Sequence, residues 1–341
     1  MSSDDSSVNS DAGSLPPEPW KRELALAIRD PFELCRLLEL PRRIAEESVA
    51  AAGPFPLLVP RGFAARMTKG DAADPLLLQV LPTAREREVV DGFTADPLAE
   101  RSSLAAPGLV RKYAGRALVL ATGGCAVNCR YCFRREFPYA ESGASRLGVI
   151  AALDEIAASD DLHEVILSGG DPLLLDDDAL AELVGRLEGI PHVRRLRIHT
   201  RLPVVLPERV TDRFVGRLSE SRLRAVVVIH ANHAAELDGS VAEAAARLAA
   251  SGAILLNQAV LLAGVNDRFE TLRDLSQRLL DLGVVPYYLH LLDRVAGTAR
   301  FEVPEPEAVA LHRRMRDELP GYAVPRLARE VPGEPAKVWL G

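Results

Sequence analysis

Residues 117–132 read Ala-Leu-Val-Leu-Ala-Thr-Gly-Gly-Cys-Ala-Val-Asn-Cys-Arg-Tyr-Cys. The opening five residues, 117–121, form an unbroken apolar run. Strands buried on both faces read this way, and such strands belong to parallel sheets. Gly123-Gly124 then ends the run, and cysteines 125, 129 and 132 follow at C-x3-C-x2-C spacing. Toward the C-terminus, further apolar runs stand at 164–167, 195–199, 225–230, 254–260 and 284–289. After a longer first interval, their centres lie about 30 residues apart. Helical patterns fill the gaps at 149–158, 178–187, 208–218, 241–250 and 269–282. Strand–helix alternation predicts an α/β fold with a parallel sheet. Six such units make an open or partial (β/α)6 TIM-type barrel, two short of a closed eight-fold one. In barrels of this kind the loops after the strands carry the chemistry, and the cysteines lie in the first of them.

Toward the N-terminus the text changes. Leu24, Ala27, Ile28, Leu34, Leu37 and Leu38 recur at helical spacing, broken near Asp30-Pro31. Residues 20–105 are read as an N-terminal helical region that packs on something larger. Residues 1–19 are rich in Ser, Asp and Pro and predict a disordered tail. The barrel is assigned to 106–303. The C-terminal segment 304–341 begins with a helical stretch (304–319) and ends in a Pro- and Gly-rich piece suited to folding back over the barrel mouth. At 341 residues, 48% hydrophobic and 26% charged, the chain is globular. It shows no long apolar run and no leader-like N-terminus, so a soluble, cytoplasmic protein without membrane partners is expected. A net charge of −7 offers no broad basic field for nucleic acid.

Three of the four cysteines crowd into eight residues, which is not disulfide spacing. Three thiolates can hold three corners of a 4Fe–4S cube and leave the fourth iron open to a small molecule. A zinc site completed by a histidine is the alternative, although structural zinc sites commonly pair two C-x2-C-like units. Cys35, at helical spacing, reads as a core residue. Ser168-Gly169-Gly170-Asp171-Pro172 follows the second strand and by itself reads as a tight turn. Only four lysines occur: Lys21, Lys69, Lys112 and Lys337. Lys337 alone lies in a Gly-rich C-terminal stretch, where by itself it reads as a tail lysine.

C-x3-C-x-aromatic-C after the first strand of a partial barrel resembles the signature of radical S-adenosylmethionine (SAM) enzymes. The resemblance narrows over roughly residues 55–338. It is carried by GGCAVNCRYCFRREFPYAE (123–141), LSGGDPLLL (167–175), RLRIHTRLPVVLPERV (195–210), LLNQAVLLAGVND (255–267), PYYLHLLD (286–293) and GYAVPRLAREVPGEPAK (321–337). These segments resemble the lysine 2,3-aminomutase family of isomerases. The resemblance implies a cluster on Cys125, Cys129 and Cys132, with SAM on the open iron yielding a 5′-deoxyadenosyl radical. It places Ser168, Gly169, Gly170 and Asp171 around the methionine amino group and His230 and Gln258 on SAM. A zinc pair of His230 with His233 is the competing reading. Lys337 takes the place of the lysine that forms a Schiff base with pyridoxal 5′-phosphate, and Lys112, Tyr113 and Arg116 match its phosphate contacts. Arg134 matches the arginine that grips the substrate carboxylate. Asp293 and Glu330 match acids that bind the substrate side-chain ammonium. Two departures stand out: Glu330 replaces an aspartate, and Lys112 an arginine. Two acids suit lysine better than glutamate as substrate.

The implied reaction is a radical 1,2-amino shift from (S)-α-lysine to (R)-β-lysine. Within the family, segments 123–135, 137–141 and 327–337 resemble the branch serving β-lysylation of elongation factor P. The sequence stops four residues after Lys337, where free-lysine mutases run on. The expected partners are L-lysine, a flavodoxin- or ferredoxin-type reductant, a lysyl-tRNA-synthetase-like ligase and elongation factor P; a homo-oligomer is allowed. The alternatives are a metabolic free-lysine 2,3-aminomutase and, more remotely, a non-catalytic iron–sulfur or zinc module.

Overall fold

The computed structural model describes residues 18–341 except 52 and 54. Most of the expected tail, residues 1–17, lies outside the described residues; Pro19 already opens the first helix, Pro19–Ala25.

Ten strands form one sheet in sequence order. They are β1 (Leu104–Ala106), β2 (Leu109–Val110), β3 (Arg116–Thr122), β4 (Glu164–Gly169), β5 (Arg195–Thr200), β6 (Arg224–Ile229), β7 (Ile254–Val260), β8 (Val285–His290), β9 (Arg326–Arg329) and β10 (Val338–Trp339). From β3 to β9 every pairing is parallel, and β1–β2, β2–β3 and β9–β10 pair antiparallel. The six apolar runs are β3 to β8, the partial barrel. The flanking strands are too short to leave a pattern in the sequence. The C-terminal piece is therefore part of the wall: β9 continues the sheet beside β8, with Leu289 opposite Leu327.

Helices Arg146–Ala158, Asp177–Glu188, Asp212–Ser219, Gly239–Ala250 and Phe269–Asp281 link successive strands, and Glu305–Glu318 follows β8. Ser145, Asp176, Thr211 and Asp238 cap four of them by accepting backbone N–H bonds. One boundary differs from the sequence reading. The helix expected from 208 begins only at Asp212, after a single tight turn, Pro207–Arg209. Arg209 turns inward instead, paired with Asp177 at 2.8 Å and donating to the Leu175 carbonyl at 2.9 Å.

The N-terminal helices bury Cys35, Phe63, Leu76 and Leu77, and the segment between them Val59, in the same apolar core as the barrel strands. No helix among the described residues is long and apolar enough to cross a membrane.

Candidate active site

A cavity of about 530 Å³ lies within the barrel and at the C-terminal ends of its strands. All the candidate site residues line it, from the three cysteines to Lys337.

The cysteine loop after β3 is fastened to the N-terminal region. Asn128 N–H donates to Leu58 O at 3.0 Å and Arg130 N–H to Gln79 O at 2.8 Å. Arg130 is fully buried; its guanidinium pairs with Glu86 and donates to Phe55 O at 2.7 Å. Arg135 joins the same carboxylate at 2.9 Å. Burial pushes the Cys125 thiol well up and Cys132 up to about 11, and neighbouring thiols add to both. Such thiols ionise when cations sit among them, which the irons of a cluster supply. Among the described residues no three His, Cys, Asp or Glu side chains meet as ligands of a single ion. Thiolates on a cube stand further apart, because each binds its own iron. The donor set therefore fits a cluster. His230 and His233 do not form a zinc pair. His230 Nε2 lies 2.7 Å from Gln258 Nε2, while the His233 ring accepts from Ala235 N–H at 3.1 Å.

β4 ends against the cysteine loop so closely that only glycine fits. A Cβ on Gly170 would stand 1.9 Å from Gly124 O, and one on Gly169, at φ +119°, 2.4 Å from Thr122 O. Asp171 lines the cavity and is also tied into the fold. Its carboxylate accepts from Thr200 Oγ1 and Arg201 N–H, both at 2.7 Å, and from Leu173 N–H at 3.1 Å. It joins the ends of β4 and β5. Burial raises it to about 6, with the Thr200 hydroxyl the main opposing group. Gly169 O is likewise taken, by the Tyr139 hydroxyl at 2.7 Å.

Across the cavity, Lys337 sits in the turn between β9 and β10. A line of alternating charges starts there. Lys337 Nζ is 2.5 Å from Glu330, Glu330 is 2.6 Å from Lys112, and Lys112 is 3.2 Å from Glu100. Glu100 then takes the Arg134 fork at 2.6 and 2.9 Å. The remaining Arg134 amine donates to Ser168 Oγ at 3.1 Å. The fork expected to hold a substrate carboxylate is thus directed at Glu100. Burial opposes ionisation of Glu330, but Lys337 and Lys112 outweigh it and hold the carboxyl down at about 2. Asp293 goes the other way: burial, and then the Glu330 charge, push it up to about 7. The pair thus carries one firmly ionised and one readily protonated acid. Lys337 also faces the Tyr288 ring at 5.9 Å, and Arg116 lies over the Tyr113 ring at 4.8 Å. An amine facing an aromatic ring, in a cavity that Lys112 and Arg116 also line, fits an aromatic phosphate cofactor.

Burial, reinforced by Arg201 at His230 and by Lys337 at His290, pushes both imidazoles down to about 3; His199 is also driven well below the usual value. All three are neutral near pH 7. His199 Nε2 has no partner. Sequence reasoning missed Glu100, His199 and Arg201. Arg201 carried a signal, since it directly follows a strand on the functional face. Glu100 carried none; it opens a single tight turn, Glu100–Ser103, and its partners lie far off in the chain.

Comparisons with known proteins agree with this geometry. Residues 119–232 match the Radical SAM superfamily. The chain is 48% identical over 330 residues to the L-lysine 2,3-aminomutase of Haemophilus influenzae, covering 95% of this chain and 98% of that one. It is 49% identical to the L-lysine 2,3-aminomutase of Escherichia coli, covering 95% and 94%. Against that of Clostridium subterminale it is 31% identical, covering 92% of this chain and 76% of that one. Such identity over nearly whole chains, with the cysteine loop and its cavity in place, makes the protein an isomerase with a radical SAM core that uses SAM and an iron–sulfur cluster. The chain belongs to the L-lysine 2,3-aminomutase family.

Proposed function

We propose that the protein converts (S)-α-lysine to (R)-β-lysine with pyridoxal 5′-phosphate on Lys337, and that the product serves β-lysylation of elongation factor P. The observation carrying this reading is that the cysteine loop and Lys337 face one cavity, with Glu330 already holding two alkylammonium groups. When bound, the cluster with SAM supplies one-electron radical chemistry, and pyridoxal phosphate supplies a carbonyl for an amine.

The residues do the rest. Lys337 offers the amine. Once that amine is engaged, Glu330 is left with a carboxylate oxygen for the ammonium of a lysine side chain, and Asp293 adds a second acid beside it. Arg134, held by Glu100, brings positive charge toward a substrate carboxylate. Lys112, Tyr113 and Arg116 form a cationic, hydroxyl-bearing corner suited to a phosphate. The three neutral histidines line the wall without adding charge. Arg326 of β9, Trp339 of β10 and Leu98 of the N-terminal region add to the cavity wall.

The link to elongation factor P draws support from the segments around the cysteines and Lys337, which resemble that branch. Two measurements test the reading. Chiral chromatography should find (R)-β-lysine made anaerobically from L-lysine. In cells lacking the gene, elongation factor P should lose the mass of its β-lysyl group and regain it when β-lysine is fed. Loss of β-lysine catabolism, with elongation factor P keeping its β-lysyl mass, would favour the metabolic role instead.

A further inference from the structure

A buried cation stands against the cysteine loop. Arg201 follows β5 and is 4% exposed. Its Nη1 donates to Cys129 Sγ at 2.7 Å. Its Nη2 donates to Gln79 Oε1 at 2.7 Å and to Glu236 Oε2 at 3.0 Å. Gln79 and Glu236 are themselves fully buried, and Gln79 Nε2 donates to Glu236 Oε1 at 3.1 Å. Asn232 N–H and His233 N–H pin that same oxygen at 2.9 and 3.1 Å. The Phe63 and Tyr131 rings stand 5.4 and 5.5 Å from the guanidinium carbon. Swinging Arg201 away would leave Glu236 charged, buried and unpaired, which is strongly unfavourable. The guanidinium is therefore fixed on the sulfur.

Reduction of an iron–sulfur cluster adds negative charge shared with its thiolates. Hydrogen bonds to those sulfurs, and the net charge nearby, set the potential. We infer that Arg201 is a positioning residue that anchors the Cys129 thiolate and raises the reduction potential of the cluster, with Glu236 fixing it and offsetting part of its charge. The inference rests on the three cysteines holding a 4Fe–4S cluster. A purely structural role for Arg201 would change stability and leave the potential alone.

The test compares anaerobically reconstituted wild type, R201M, R201K and E236Q by redox titration in the absence of SAM, followed by absorbance and electron paramagnetic resonance. At a fixed potential, R201M should show a reduced-to-oxidised ratio about tenfold lower, equivalent to 59 mV for a one-electron couple. R201K, which keeps the charge and loses the fork, should fall between. E236Q should shift in the opposite direction, because the guanidinium charge is then less offset. R201M with full iron and sulfide content and an unchanged potential would overturn the inference, also when SAM binding alone is weakened. If R201M fails to fold, E236Q decides: an unshifted or more negative potential overturns the inference. A wild-type protein that takes up no iron and sulfide would overturn the cluster and this inference together.

Discussion

Glu330 Oε2 lies 2.5 Å from Lys337 Nζ, and the other oxygen of the same carboxylate lies 2.6 Å from Lys112 Nζ. One acid therefore binds the two lysines of the cavity. Lys337→Ala should abolish borohydride-stable labelling by pyridoxal phosphate and stop β-lysine formation, while cluster loading stays at the wild-type level. Glu330→Gln should raise the KM for lysine by about tenfold, the scale of a lost charge-assisted hydrogen bond, with a smaller effect on kcat. A K337A protein that still retains pyridoxal phosphate covalently would exclude Lys337 as its anchor.

Asp293 and Glu330 should tilt stability against pH in opposite directions. Asp293 is raised from its ordinary 3.8 to about 7, so it opposes folding once the unfolded chain ionises above about pH 4. Asp293→Asn should leave the melting temperature unchanged at pH 4 and raise it at pH 8, by on the order of a few kcal/mol of stability. Glu330 is depressed from 4.5 to about 2, so its contribution is present above about pH 5 and fades as the pH falls toward 2. Glu330→Gln should destabilise at pH 7 and matter least in acid. Thermal melts of the apoprotein across pH 3–8 check both signs.

The approach of β4 to the cysteine loop makes Gly170 decisive for cluster uptake. Gly170→Ala places a methyl 1.9 Å from a backbone carbonyl. It should fold with displaced thiols and bind much less iron and sulfide than wild type. Gly185, in helix Asp177–Glu188, meets nothing within 4 Å. Gly185→Ala should load fully and gain up to about 1 kcal/mol of stability. Equal iron content in both variants would contradict the account.

Glu86 gathers Arg130 and Arg135 in a buried site, and the Arg300 guanidinium lies 3.9 Å from its carboxylate. Glu86→Gln leaves buried guanidinium groups without their counter-charge. It should cost about 3–5 kcal/mol in denaturant unfolding and weaken iron retention, because Arg130 lies between the second and third cysteines.

These residues also show what the sequence made legible. Short runs rich in Val, Ile and Leu, regularly spaced between helical patterns, announced β3 to β8; only β4 is buried along its whole length, and β5 and β7 alternate. β9 and β10 stayed hidden, since strands of four and two residues carry too little pattern. The spacing of Cys125, Cys129 and Cys132 marked one end of the cavity, and the family resemblance marked Lys337 at the other. The hydrogen bonds of Asp171 were not legible, because a motif names a residue type, whereas the direction of its carboxylate depends on Thr200 and Arg201, about thirty residues away. Glu100, which links Lys112 to Arg134, was invisible for the same reason: its partners come from distant segments.

If the radical source and the lysine-binding residues act on one substrate in one cavity, hydrogen passes between SAM and lysine without exchanging with solvent. The direct measurement uses L-lysine deuterated at C3, with reconstituted enzyme, SAM and dithionite under anaerobic conditions. Mass spectrometry then follows the label. The account predicts deuterium in the 5′-deoxyadenosyl group and in the β-lysine formed. SAM cleaved with hydrogen from solvent only, and no β-lysine, would contradict it.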